Sequence, residues 1–116
     1  LRQALLNLVR NAREAMSKGG ELVINVRTAS DGGIDLSIED TGSGIPEELR
    51  ASIFDPLFTT KQRGTGSGWA VTRDIIEAHQ GTIRCEGREG GGTRFAIHLP
   101  KAEGVAKAEV SAVVED

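Results

Sequence analysis

The stretch Asp40-Thr41-Gly42-Ser43-Gly44-Ile45-Pro46 decides the fold, because a strand pattern ends here in a turn rich in glycine. Before it, Ile34, Leu36 and Ile38 alternate with polar residues, which predicts a strand that delivers Asp40 at its end. A carboxylate at this position is most often a turn former. It can also accept a hydrogen bond from an exocyclic amine, and the two glycines would let the backbone approach a base closely. Asp40 is therefore a candidate for selecting adenine over guanine.

Residues 1–17 predict an amphipathic helix that carries Asn7 and Asn11 on one face, because residues four apart lie about 40° apart around a helix. Gln3 and Glu14 extend this polar stripe. Asparagine is a poor helix former, so two of them on one stripe weaken the helix without an apolar gain. The stripe is either a solvated face or part of a site, and an amide oxygen is a suitable ligand for Mg²⁺.

A second glycine cluster, Gly64-Thr65-Gly66-Ser67-Gly68, ends a stretch over 54–68 that shows no periodicity and predicts a long loop. A helix is predicted over 69–79, and backbone N–H groups at a helix start suit phosphates. The glycine spacing does not fit a dinucleotide-binding fingerprint, and no P-loop Gly-Lys-Ser/Thr follows it. Lys61 and Arg63 beside the cluster either pair with phosphates or are solvated.

The remaining pattern predicts an α/β (α+β) two-layer sandwich, with three helices on one face of a mixed, mainly antiparallel sheet. Strands are predicted over 21–28, 34–40, 82–87 and 93–99, and a short helix begins at Pro46. Residues 1–100 are predicted to form one domain. Residues 101–116 are predicted to be a tail, frayed or weakly helical.

Composition narrows the class of protein. The 116 residues include 14 basic and 17 acidic side chains, a net charge of −3, which argues against non-specific nucleic-acid binding. The one cysteine, Cys85, favours a reducing compartment, and no apolar run is long enough to span a membrane. His79 and His98 lack ligand-spaced partners, so we expect structural roles for both. The chain begins inside a helical pattern without a cap, so we expect a fragment of a longer protein.

Taken together, the motifs resemble the ATP-binding catalytic domain of sensor histidine kinases, which has the Bergerat fold of the larger group that includes gyrase B, Hsp90 and MutL. The resemblance covers residues 1–100, with the motifs in the family's order and spacing. The matching segments are the N-box Asn7-Leu8-Val9-Arg10-Asn11-Ala12-Arg13-Glu14-Ala15-Met16, the first glycine box 40–46, the F-box Ile53-Phe54-Asp55-Pro56-Leu57-Phe58-Thr59-Thr60-Lys61, the second glycine box 64–68, and the closing Gly91-Gly92-Thr93-x-Phe95-x-Ile97-x-Leu99-Pro100.

The resemblance implies a role for each matching position. Asn11 would coordinate Mg²⁺ bridging the ATP phosphates, Asp40 would bind the adenine amine, and residues 55–68 would form a mobile ATP lid. Catalytic roles are implied for Asn7 and Lys61. The implied ATP-binding residues are Asn7, Asn11, Glu14, Asp40, Gly42, Gly44, Ile45, Phe58, Thr59, Thr60, Lys61, Gly64, Thr65, Gly66, Ser67, Gly68 and Thr93.

Asn7 separates this chain from the ATP-hydrolysing relatives, which tend to carry a glutamate base four residues before the metal asparagine. An amide cannot take a proton from water as a carboxylate can. The resemblance therefore implies transfer of the ATP γ-phosphate to a histidine on the parent's separate dimerisation domain, and indirectly to a response-regulator receiver domain. We expect the segment itself to be cytoplasmic and monomeric, without nucleic-acid or membrane contacts, although its parent could be membrane-anchored.

Two departures leave alternatives open. The family's second glycine box usually reads Gly-Leu-Gly-Leu, whereas this chain has Gly66-Ser67-Gly68-Trp69. The lid could therefore dock differently, which would make the chain an ATP-binding module with impaired kinase activity. The dimerisation domain with its acceptor histidine, and the strand that usually opens the catalytic domain, are also missing. A third possibility is a serine kinase of the anti-sigma type, against which the F-box and Asn7 argue.

Overall fold

The computed structural model describes residues 1–55, 67–101 and 109–115, with only the backbone described for Ser67 and for 109–115. The elements are, in chain order, α1 Arg2–Ala15, β1 Glu21–Thr28, β2 Ile34–Asp40, the 3₁₀ turns Glu47–Leu49 and Ser52–Phe54, α2 Ser67–Ala78, β3 Thr82–Gly87, β4 Thr93–Leu99 and β5 Glu109–Glu115. No described helix combines the length and the apolar character that a membrane crossing needs.

The strands form one sheet in the order β3-β4-β2-β1-β5, and each described pairing is antiparallel. Ile38 on β2 lies opposite Ile24 on β1 and opposite Phe95 on β4. Asp40 in turn lies opposite Leu22 and Thr93. Because side chains alternate along a strand, Asp40 shares the face of Ile38, which is the buried face.

The core lies between that face and the two helices. Helix α1 contributes Leu8 and its buried alanines. Helix α2 contributes Trp69 and Ile76, which are 2% and 0% exposed. The sheet contributes Phe95, whose ring meets that of Phe54 edge-on with centroids 6.3 Å apart. All of these residues belong to one cluster, so the predicted two-layer sandwich is confirmed.

The structure corrects three details of the prediction. The short helix after Pro46 is instead a pair of 3₁₀ turns, and α2 begins two residues earlier than predicted, at Ser67. Residues 109–115 form a strand rather than a frayed or helical tail, paired antiparallel with β1. Valines favour strands, and the edge of β1 offers backbone partners that no local pattern reveals. The domain boundary after residue 100 stays a prediction.

Candidate functional site

Loop 41–46 is attached to both β1 and α1 by hydrogen bonds. Thr41 N donates to the Glu21 carbonyl at 3.2 Å, and Thr41 Oγ1 accepts from Glu21 N at 3.0 Å. Ser43 N donates to the Ala15 carbonyl at 3.2 Å, which satisfies one of the carbonyls left unpaired at the end of a helix. These bonds fix the loop that follows Asp40 relative to the helix that carries Asn7 and Asn11.

Asp40 is a buried carboxylate, with 4% of its surface exposed. Its Oδ1 accepts a hydrogen bond from Gly42 N at 2.9 Å, so the loop folds back over the end of β2. A side chain at Gly42 would overlap the Ala15 carbonyl, and one at Gly92 would overlap the Asp40 carbonyl. Gly92 also has a φ of +109°, which L-residues rarely adopt. Backbone elements therefore approach the Asp40 end of β2 more closely than side chains would permit.

The other predicted residues of this region converge on the same end of the sheet. Thr93 is 3% exposed and lies opposite Asp40 across the β2–β4 pairing. Gly44 lies beside Gly92, since a Cβ on Gly44 would sit 3.4 Å from the Gly92 carbonyl oxygen. Ile45 is buried at 7% exposure. The structure thus brings the first glycine box and the start of the closing strand together around Asp40.

The two asparagines of the polar stripe on α1 are buried, whereas Gln3 and Glu14, which extend the stripe, are exposed. Asn7 and Asn11 are only 4% and 7% exposed, which argues against a solvated face. Asn7 Oδ1 accepts from Gln3 Nε2 at 3.0 Å and from Arg10 Nη2 at 2.7 Å. Asn11 Nδ2 has no hydrogen-bond partner among the described residues. A buried donor without a partner costs about 1–3 kcal/mol, so this amide is suited to meet a ligand.

Of the other predicted site residues, three are described by the structure and seven lie outside the described residues. Gly68 is in the first turn of α2, where its carbonyl accepts from Thr72 Oγ1 at 2.8 Å. Glu14 is exposed on the outer part of the α1 stripe. Only the backbone of Ser67 is described, as the first residue of α2. The remaining predicted positions lie outside the described residues: Phe58, Thr59, Thr60, Lys61, Gly64, Thr65 and Gly66.

Trp69, which together with Ser67 departs from the usual second glycine box, is a core residue. It is 2% exposed and belongs to the cluster that holds Leu8, Ile53 and Ile76. Its ring therefore lies in the interior between the helices and the sheet and not at the surface.

Two arginines were missed as site residues when only the sequence was considered. Arg10 hydrogen-bonds to Asn7, and its spacing of three residues along a helix is the signal that could have found it. Arg50 Nε donates to the Ile45 carbonyl at 3.0 Å, and its guanidinium lies against Gly87 of β3. No pattern indicates the second contact, because it depends on 3₁₀ turns that the sequence does not predict.

The two histidines lie away from Asp40, as expected of structural residues. His79 Nδ1 is 2.8 Å from the Ile75 carbonyl at the end of α2. His98 is held between two carboxylates, with Nδ1 2.8 Å from Asp35 Oδ1 and Nε2 2.8 Å from Asp31 Oδ2. The hydrogen bond to Asp35 is the main cause that raises the pKa of His98, and the bond from Gly33 N is the main cause that lowers the pKa of Asp31.

Known proteins share the sequence motifs and the fold described above. Residues 1–103 match the family model described as histidine kinase-, DNA gyrase B-, and HSP90-like ATPase. The sensor histidine kinase ZraS of Klebsiella oxytoca is 43% identical over 100 residues, which is 86% of this chain and 22% of ZraS. The catalytic domain of the histidine kinase ThkA, in a nucleotide-free form, superposes with a TM-score of 0.76 at 43% identity, covering 85% of this chain and 64% of that one.

A further structural relative holds a nucleotide. Full-length ShkA in complex with AMPPNP superposes with a TM-score of 0.77 at 31% identity, covering 93% of this chain and 22% of ShkA. The chain therefore belongs to the family of histidine kinase-, DNA gyrase B- and HSP90-like ATPases. Within it, the chain matches the ATP-binding catalytic domain of sensor histidine kinases, so the predicted family, the predicted fold and the interpretation as an ATP-binding catalytic domain are confirmed. The chain spans about a fifth of the length of ZraS.

Proposed function

We propose that this chain binds ATP with Mg²⁺ and presents the γ-phosphate to a histidine on a separate dimerisation domain of its parent protein. The observation that carries the proposal is Asn11, a buried amide whose Nδ2 has no partner among the described residues. Its position on α1 is fixed relative to Asp40 by the bond between Ser43 and Ala15. A buried amide and a buried carboxylate on adjoining elements suit a ligand with an amine at one end and phosphates at the other.

The residues present fit a magnesium nucleotide. An amide donates through its nitrogen and accepts through its oxygen, so Asn11 can donate to a phosphate oxygen while its Oδ1 serves as a hard ligand. Mg²⁺ commonly takes one or two protein oxygens and completes its shell with phosphate and water oxygens. When bound, the ion would neutralise phosphate charge. Asn11 would hold it, as the resemblance implies.

Asp40 would orient the base. Its Oδ1 already accepts from Gly42 N, so the carboxylate is held in one rotamer at the end of β2. An ionised carboxylate only accepts hydrogen bonds, so it favours an exocyclic amine over a carbonyl at that position. The loop around Gly42 and Gly44 and the buried Thr93 would enclose the ring beside it.

Asn7 bears on what happens to the γ-phosphate. Its Oδ1 accepts two hydrogen bonds, and an amide has no lone pair basic enough to take a proton from water. The chain therefore lacks a general base at this point of α1, which supports transfer to a positioned histidine rather than hydrolysis. In phosphoryl transfer, positioning and charge stabilisation supply most of the catalysis. Lys61 and the second glycine box are proposed to contact the phosphates from the lid.

The test is phosphotransfer to a supplied acceptor. The chain is incubated with γ-labelled ATP, Mg²⁺ and the dimerisation domain of a sensor histidine kinase relative, with the acceptor His→Gln as control. We expect an acid-labile label on the acceptor that is absent from the control. An acid-stable label would instead indicate a serine kinase, and nucleotide binding without any transfer would indicate a module with impaired kinase activity. We further propose a cytoplasmic, monomeric segment that reaches a receiver domain only through that acceptor.

A further inference from the structure

Arg10 is a cation beside the proposed nucleotide site that no role yet explains. Its Nη2 donates to Asn7 Oδ1 at 2.7 Å, and no carboxylate of the described residues forms an ion pair with it. Glu14, the next acidic residue along α1, is among the described acids that form no ion pair with it. Arg10 is therefore hydrogen-bonded to a neutral amide, which orients the guanidinium without neutralising its charge.

The hydrogen bond between Arg10 and Asn7 draws the guanidinium toward the buried stripe. Arg10 lies about 60° around the helix from Asn7, on the exposed flank, so its side chain would otherwise extend into solvent. A guanidinium has five N–H donors in a planar fork, and the contact with Asn7 uses one of them. The others are available to an anion, and a phosphate suits the fork as a bidentate acceptor.

The position of Arg10 along α1 indicates which phosphate it would meet. The loop that follows Asp40 is bonded to Ala15 at the end of α1. Asn11 lies about 6 Å further back along the helix axis and Asn7 about 12 Å, at 1.5 Å per residue. A nucleotide with its base at Asp40 and its bridging phosphates at Asn11 would therefore extend its terminal phosphate toward Asn7 and Arg10.

We propose that Arg10 contacts the terminal phosphate of the bound nucleotide and that Asn7 is the residue that positions it. This inference rests on the proposed function, because it assumes a nucleotide between Asp40 and Asn11. It assigns Asn7 a different task from metal binding. The Oδ1 of Asn7, the only atom with which it could ligate a metal, already accepts from Gln3 and Arg10.

The experiment compares two nucleotides that differ in that phosphate. Titration calorimetry with ADP and with a non-hydrolysable ATP analogue, both with Mg²⁺, is done on the unmodified chain and on Arg10→Gln. Losing a charge-assisted hydrogen bond should weaken analogue binding about tenfold or more, while ADP binding changes less than about twofold. Arg10→Lys should recover part of the loss, and Asn7→Ala should weaken the analogue selectively but by less.

Arg13→Gln is the matched control, because it removes the same charge from another exposed position of α1, about 160° around the helix from Asn11, compared with about 100° for Arg10. It should leave the ratio of the two affinities unchanged. If Arg10→Gln weakens ADP and analogue binding by the same factor, or weakens neither, the assignment would be overturned while the proposed function stays intact. Failure of the unmodified chain to bind either nucleotide would overturn both.

Discussion

Replacing Gly92 with alanine tests whether the close approach of two backbones shapes the Asp40 end of the site. Gly92 has a φ of +109°, and an added Cβ would overlap the Asp40 carbonyl oxygen and lie 3.0 Å from Thr41 Cα. Gly91 is a matched control. Its φ is +108°, but an added Cβ would meet nothing within 4 Å. The two substitutions therefore carry the same backbone strain, and only Gly92→Ala adds the collision.

The expected magnitudes follow from this difference. A non-glycine residue in this backbone region costs about 1–3 kcal/mol, which both variants should lose from the free energy of unfolding. The overlap at Gly92 involves backbone atoms, so it can be relieved only by moving the end of β2 or of β4. Such overpacking costs about 1–3 kcal/mol more. If that shift displaces the Asp40 carboxylate, nucleotide binding should weaken by a similar free energy, which is about 5- to 150-fold in Kd.

Two measurements check this prediction: urea unfolding of both variants, and titration of each with an ATP analogue. We expect Gly91→Ala to lose stability while keeping the affinity of the unmodified chain. Gly92→Ala should lose more stability and also lose affinity. Equal stability and equal affinity in the two variants would refute the reasoning, because the Asp40 carbonyl would then not be in contact with residue 92.

Two further predictions concern Arg50 and His98. Arg50→Ala removes the bond to the Ile45 carbonyl, so it should loosen the first glycine box and weaken ATP-analogue binding several-fold. The control Arg73→Ala breaks only an exposed ion pair on α2 and should leave binding unchanged, so equal affinities of the two variants in a titration would contradict this prediction. The raised pKa of His98 predicts stability that is complete below its ordinary pKa and lost as pH rises through the raised value. The unfolding free energy of the unmodified chain should therefore fall relative to that of His98→Gln as the pH rises above the ordinary histidine value and through the raised pKa, and a constant difference would be the contrary result.

Much of the fold could be predicted from local pattern. The alternation of Ile34, Leu36 and Ile38 specifies a half-buried strand, and the structure has β2 at those residues. The spacing of Asn7 and Asn11 likewise places both on one face of α1, and both are buried. These predictions succeed because each depends on a period that a single element imposes on its own residues.

The remaining features depend on contacts between segments that are distant in the sequence. Strand β5 forms against the edge of β1, which is about 85 residues earlier, so no local period marks it. Arg50 reaches Ile45 and Gly87 only because the 3₁₀ turns bring it there. The burial of Trp69 is a property of the packed core and not of the glycine box in which it stands.

The most direct test of the central claim is titration calorimetry with a non-hydrolysable ATP analogue, with and without Mg²⁺, on the unmodified chain, Asp40→Asn and Asn11→Ala. The account predicts Mg²⁺-dependent binding to the unmodified chain. It predicts that Asp40→Asn abolishes binding. The bond from Gly42 N would hold the amide oxygen toward Gly42, so the amide NH₂ group would face the adenine amine, with two donors opposed. It also predicts that Asn11→Ala binds weakly and without Mg²⁺ dependence. Mg²⁺-dependent binding that survives unchanged in both variants would contradict the account.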